Sequence, residues 1–179
     1  LEVVEPETDP PIRFVRDFYD SRWADVEIDC LACRHVLQHI PNPLAFVRSV
    51  VEPNAGRPAA LIYFELPNGA YVLETAAAWN VFYEHCSYLS PDLLRRLFVA
   101  CGCTVFEHGP CFEDGQSMKL FAAVGGGAAG LIEPQQAGQG LSWETVQRFG
   151  AQYTAHVHDK RERLQSLKRQ GQRVVAWGS

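Results

Sequence analysis

Apolar and polar positions follow two rhythms along most of the chain. Residues 12–19 (IRFVRDFY) alternate apolar and charged side chains, the period-two pattern of a short strand. Residues 26–36 form an apolar-rich run containing Asp29 and Arg34, which predicts a buried parallel strand running into a loop. Pro41-Asn42-Pro43 then opens a helix. Leu44, Val47 and Val51 fall at helical spacing with Phe46 and Val50 beside them, and Pro53-Asn54 with Gly56 close it. Residues 59–66 (AALIYFEL) predict a second buried strand, stopped by Pro67-Asn68-Gly69. Ser90-Pro91-Asp92 is a helix start, serine at the N-cap and proline at the first helical position, and that helix ends on Gly102. Strands are expected at 103–107 and 118–124, joined by a polar loop containing Asp114-Gly115.

The order strand, helix, strand, helix, strand, strand predicts an α/β fold. Its sheet should be open and mostly parallel with helices on its faces, and the final strand pair fits an antiparallel edge strand. Residues 125–140, rich in Gly, Ala and Gln, read as a linker. Ser142 then caps a long helix over 143–170, with Phe149, Tyr153, His156, Leu164 and Leu167 as its apolar stripe and Gly171 as its stop. Residues 173–177 predict the first strand of another unit. The organisation expected is therefore a catalytic-type unit over 1–124, a linker over 125–140, and a long helix with the start of a further α/β unit over 141–179.

Composition narrows the function classes. The chain has 179 residues, with 16 Lys and Arg against 21 Asp and Glu and a net charge of −5, so no basic surplus supports a nucleic-acid partner. No apolar run approaches the roughly 20 residues of a membrane helix, and the protein reads as soluble and cytoplasmic. Cys30 and Cys33 form a C-x-x-C that a zinc site or a redox pair would use. They lie within a strand pattern, and Cys101-Gly102-Cys103 has the wrong spacing for a second zinc half-site. The six cysteines are read as reduced thiols, the strand ones acting as small buried hydrophobes, and no metal is expected.

Two segments carry candidate chemistry. Arg34 to Pro43 sits at the C-terminal end of the first long strand, where open α/β sheets gather ligands. His39 there suits either a substrate-facing proton donor or a helix cap, and His35 suits a structural role. Tyr83-Glu84-His85, followed by Tyr88 and Ser90, places a phenol, a carboxylate and an imidazole side by side. Imidazole moves protons near neutral pH, and a phenol stabilises an oxyanion. The same residues also suit a polar loop packing its aromatic rings on the sheet.

Taken in order, these segments resemble the class I S-adenosylmethionine-dependent methyltransferases, and within them the sugar C-methyltransferase family. The matching stretches are His35-Val36-Leu37-Gln38-His39-Ile40-Pro41, the strand ending Glu65-Leu66-Pro67, Tyr83-Glu84-His85 with Tyr88 and Ser90, and the closing VVAWGS of 174–179. The resemblance implies the C-terminal part of a Rossmann-like methyltransferase sheet. It also implies S-adenosyl-L-methionine as cofactor and a small-molecule acceptor, a nucleotide-linked keto sugar methylated on the carbon beside its ketone.

In that reading His85 is the base, Glu84 orients it, and Tyr83 and His39 donate to the oxyanion. Glu65, Asn68 and Tyr88 bind the acceptor, and Cys33, Arg34 and His35 face the cofactor, with Asp17-Phe18-Tyr19 approaching its adenine. Two departures from the family stand out: no G-x-G turn precedes Val26, and the cysteine-rich metal-binding region is missing. The chain is therefore expected to be an internal fragment of a longer enzyme. Methylation of oxygen or nitrogen, a nicotinamide-dependent oxidoreductase lacking its glycine-rich phosphate turn, and a non-catalytic module with 143–170 as a docking helix are the rival readings.

Overall fold

The computed structural model describes residues 3–4, 14–19, 21–23, 26, 28–55, 60–124 and 141–175. Two short strands, β1 (Val3–Val4) and β2 (Phe14–Val15), pair antiparallel by themselves. The main sheet begins with β3 (Cys30–Arg34), followed by α1 (Pro43–Val51) and β4 (Leu61–Pro67). After β4 come α2 (Gly69–Glu74), α3 (Pro91–Ala100), β5 (Cys103–Cys111) and β6 (Ser117–Val124). The long helix α4 (Trp143–Arg169) follows.

The four-stranded sheet has the order β3-β4-β6-β5. β3 and β4 are parallel and joined through α1, while β6 runs against both of its neighbours. Three of the four strands thus share one direction, and the reversed strand sits one place in from the edge formed by β5. Register brings Arg34 beside Glu65, Pro67 beside Ser117, and Ser117 beside Cys111. One margin of the sheet therefore collects the C-terminal ends of β3, β4 and β5 and the start of β6.

Local chemistry sets the helix starts as the residue types predict. Asn42 accepts the Ala45 N–H at 3.0 Å and Ser90 accepts the Leu93 N–H at 3.3 Å, each ahead of a proline whose missing N–H costs nothing at that position. Gly102 takes φ +81° just past α3, a conformation side chains disfavour. Val47, Val50 and Val51 of α1 and Leu94 and Phe98 of α3 pack on Ile62, Phe64, Leu66, Leu120 and Val124. The Phe64 and Phe98 rings meet edge-on with centroids 4.8 Å apart.

Burial on β4 alternates strictly. Residues 59–66 were expected to form a buried strand. Instead Tyr63 and Glu65 stand half-buried on the face away from α1 and α3. The cysteines divide in the same way: Cys33 is buried and Cys30 exposed, since side chains three apart on a strand point to opposite faces. All six cysteines are free thiols.

Three further expectations change. Pro67-Asn68-Gly69 was expected only to stop a strand, yet Asn68 also caps α2 by accepting the Ala70 N–H at 3.1 Å. α4 lies against α2 and is capped by Ser142, but none of its residues is buried, its apolar stripe included. Residues 172–175 form no strand, there being no neighbouring strand for them to pair with among the described residues, and 176–179 and the linker 125–140 lie outside those residues.

Gly69 marks a tight crossing between the start of α2 and the segment preceding α3. Its N–H donates to the Leu89 carbonyl at 2.7 Å, and an added Cβ would stand 2.7 Å from that oxygen and 2.8 Å from the Tyr88 carbonyl carbon. Gly69→Ala is expected to lower unfolding free energy by about 1–3 kcal/mol, because backbone must move to make room. A urea melt of the two proteins checks this, and equal midpoints would show that the crossing is loose.

Candidate active site

Two cavities open at the gathered strand ends, one on each side of the segment that leaves β3. The smaller, about 310 Å³, is lined by His35, Gln38, His39, Asn80, Phe82 and His85, with Pro67, Phe112, Gln116 and Ser117 completing it. The larger, about 610 Å³ and mainly apolar, runs from Asp17, Phe18 and Tyr19 along 31–34 to Val36, Ile40, Phe46 and Val50. His39 lines both. His35 takes φ +53°, unusual for a side-chain-bearing residue. Arg34 and Val36 accordingly face the larger cavity while His35 faces the smaller.

The segment carrying His85 is tied to the segment carrying His39 by main-chain bonds. The Gln38 carbonyl accepts from the N–H groups of Cys86 at 2.7 Å and Ser87 at 3.1 Å. His39 Nδ1 lies 3.0 Å from the Glu84 carbonyl, and His85 Nδ1 lies 2.9 Å from the Asn80 carbonyl. A carbonyl only accepts, so both rings carry their proton on Nδ1, and each neutral ring keeps Nε2 as its acceptor. The two ring centroids are 5.0 Å apart, and the Phe82 ring packs on His85 at 3.8 Å. Burial holds the His85 imidazole below its ordinary pKa and the nearby His39 acts in the same sense, while the bond to Asn80 opposes them.

Glu65 holds a second cluster at the ends of β3 and β4. The Arg34 guanidinium donates to it through two nitrogens, each at 3.0 Å, the Tyr63 hydroxyl donates at 2.6 Å, and His35 Nε2 lies 3.2 Å away. Hydrogen bonds from Arg34 and Tyr63 hold the carboxyl down to about 2, and the same carboxylate pushes Tyr63 up to about 12.

These positions revise several expected roles. Glu65 was expected to bind acceptor hydroxyls, but its oxygens are occupied by Arg34, Tyr63 and His35. Asn68 was given the same role, yet it is buried, capping α2 and donating to the Gly115 carbonyl at 3.0 Å. Tyr83 is 93% exposed and outside both cavities, so water, not a reacting group, surrounds its phenol. Glu84 reaches His39 through its main-chain carbonyl, and its carboxylate acts on His85 through charge alone. Tyr88 stands behind His85 with centroids 6.0 Å apart, and its hydroxyl donates to the Asn80 carbonyl at 3.4 Å. His39 and His85 do share a cavity, and Cys33 and Arg34 do share one with Asp17, Phe18 and Tyr19. Burial raises the Cys33 thiol to about 11, so that side chain is neutral at physiological pH.

Sequence reasoning missed Asn80 and the main-chain role of Gln38, because a backbone carbonyl belongs to every residue and leaves no compositional mark. Phe82 and Phe112 are aromatic residues beside polar ones, a signal that was present and not used. Among the described residues no group of three His, Cys, Asp or Glu side chains is arranged to hold a metal ion. No helix among them is long and apolar enough to cross a membrane.

The two cavities at the strand ends of this α/β sheet adjoin one another and share His39 as a wall. Residues 3–108 match the family model described as a methyltransferase domain, well over half of the chain, and the chain belongs to that family. Among solved structures it is similar to an S-adenosylmethionine-dependent methyltransferase from Clostridium acetobutylicum, with 7% sequence identity and a TM-score of 0.41. The alignment covers 57% of this chain and 62% of the other, so the chain spans under two thirds of that protein's length. A comparison with curated proteins returns no match.

The Glu65 cluster has a consequence for acid stability. The carboxyl's folded-state value lies below its ordinary one, so the cluster stabilises the fold at neutral pH, and this contribution is lost as pH falls from about 4.3 towards 2. Glu65→Gln is expected to melt lower than wild type at pH 7, with the gap narrowing steadily below pH 4. Melting curves across that range check it, and a gap independent of pH would assign the cluster no electrostatic role.

Proposed function

We propose that the protein transfers the methyl group of S-adenosyl-L-methionine to a carbon beside the ketone of a nucleotide-linked keto sugar. The carrying observation is His39: it lines both cavities and stands 5.0 Å from His85. Membership of the methyltransferase domain family and the motif order from His35 to Ser90 support the same reading.

The larger cavity suits the adenosyl part of the cofactor. Its walls include the Phe18 and Tyr19 rings and the apolar Leu31, Val36, Ile40 and Phe46, fit for a planar base, while Asp17 is already paired with Arg22 at 2.9 Å. When bound, the cofactor supplies a sulfonium methyl group as electrophile. The chain's own residues handle the proton and the developing charge. His85, neutral at pH 7 with its proton fixed on Nδ1 by Asn80, takes the acidified C–H proton on Nε2. The C–H electron pair becomes the enolate whose carbon attacks. For His39, whose Nδ1–H is given to the Glu84 carbonyl, to donate to the enolate oxygen, its Nε2 must take up a second proton in the course of the reaction. Phe82 on one side and Tyr88 behind keep the His85 ring in place.

The division proposed with this activity is a catalytic unit within 1–124 and a separate segment over 141–179 that begins with α4.

Proton removal from carbon is directly observable. In D₂O, a nucleoside diphosphate 4-keto sugar should lose its α-proton NMR signal in the presence of the protein. His85→Ala should slow that exchange by about 10²–10⁴-fold. An intact signal with wild type would overturn carbon methylation in favour of an oxygen or nitrogen acceptor, and exchange at the wild-type rate in His85→Ala would remove His85 as base. The exchange rate should also fall as pH drops below about 6.5, the ordinary imidazole value, because the lowered pKa of His85 delays its protonation to more acid pH. A rate that begins to fall well above that value would point to a different base.

A further inference from the structure

The smaller cavity contains an unpaid requirement. Gln38 is 3% exposed and lines that cavity, and its side-chain Oε1 is buried with no hydrogen-bond partner. Leaving such an acceptor unmatched opposes folding, so an amide kept there in place of an apolar group of equal size needs a reason. The fold does not need the side chain to hold the His85 segment, since the main-chain carbonyl of Gln38 makes the bonds to Cys86 and Ser87. The terminal torsion of glutamine is soft and nearly twofold, so the amide can turn its oxygen towards a donor entering the cavity.

The surrounding walls narrow what that donor belongs to. No lysine, arginine, aspartate or glutamate lines the cavity, so the part of the ligand that enters is uncharged. Phe82 and Phe112 offer partly exposed rings, Phe112 at 67%, while Asn80, Gln116 and Ser117 add polar groups. A body with an apolar face and hydroxyls at its rim matches both kinds of wall.

We propose that Gln38 is a specificity-determining residue whose side-chain oxygen accepts a hydrogen bond from an acceptor hydroxyl next to the reacting carbon. This deepens the keto-sugar reading and rests on it. The hydroxyl satisfies the buried oxygen, and an acceptor lacking it leaves that oxygen unmatched in a closed cavity, so the site discriminates by what it forfeits.

The test is calorimetric, on the full chain, with two probes for methylation at C3: a nucleoside diphosphate 4-keto hexose bearing a C2 hydroxyl, and its 2-deoxy counterpart. Wild type is expected to bind the hydroxylated probe about tenfold more tightly. Gln38→Met, apolar and of similar length, is expected to bind both alike and to melt no lower than wild type. Equal affinities in wild type would overturn the proposal alone, leaving keto-sugar methylation standing, and this comparison holds even if the variant fails to fold. Discrimination retained in Gln38→Met would overturn it too, as would a variant that melts lower and still discriminates. Silence from both probes, together with no α-proton exchange, would overturn it along with the reading it rests on.

Discussion

The Gln38 carbonyl, accepting two N–H groups from a segment nearly fifty residues further along the chain, is the constraint on which the site depends. A main-chain acceptor is indifferent to side-chain identity but strict about position. It fixes the 82–90 segment against the end of β3, and the reciprocal contact from His39 to the Glu84 carbonyl closes the tie from the other side. With the two segments locked, both imidazoles have one tautomer and one separation. Without the tie, each histidine would be an exposed or half-exposed loop residue with an undirected ring. Under the proposed function this preorganisation matters, since misplacement of a catalytic group by an ångström costs heavily in rate.

The sheet explains why the tie falls where it does. The parallel pair β3 and β4 ends at one margin, and the reversed strand β6 begins there because it is antiparallel to β4. Chain leaving β3 and β4 must therefore cross the same margin, and the close approach of Gly69 to Leu89 holds the second crossing tight. Glu65 works at the same margin by charge: it anchors Arg34 beside one cavity and His35 beside the other, through a single carboxylate. The two cavities thus share both a wall, His39, and a brace, Glu65.

Much of this was legible in the chain. Proline after a capping residue at Asn42-Pro43 and Ser90-Pro91 marks helix starts because the physics is local, needing only the first turn. The main-sheet strands at β3 and β4 followed from apolar runs ahead of turn residues, though the half-buried face of β4 did not, since covering a face depends on what packs there. α2 escaped notice because Asn68-Gly69 suits a turn and a helix start equally, and six residues show too little periodicity to decide. Of the site, His39 and His85 were found through the order of motifs, whereas their orienting partners are carbonyls at Glu84 and Asn80. Tyr83 was misjudged for a related reason: adjacency in sequence to His85 says nothing about which side of an irregular segment a phenol occupies.

The tip of the β5–β6 hairpin forms another wall of the smaller cavity. Phe112, Glu113, Asp114 and Gly115 all adopt positive φ, and Asn68 pins the turn by donating its main-chain N–H to Gln116 and its side-chain amide to Gly115. That wall has no hydrogen bond to either imidazole among the described contacts. The shape of that cavity can therefore be redrawn by altering a few hairpin residues while the placement of the two imidazoles stays as it is: a division of labour that would let one scaffold vary what it admits without rebuilding its histidine pair.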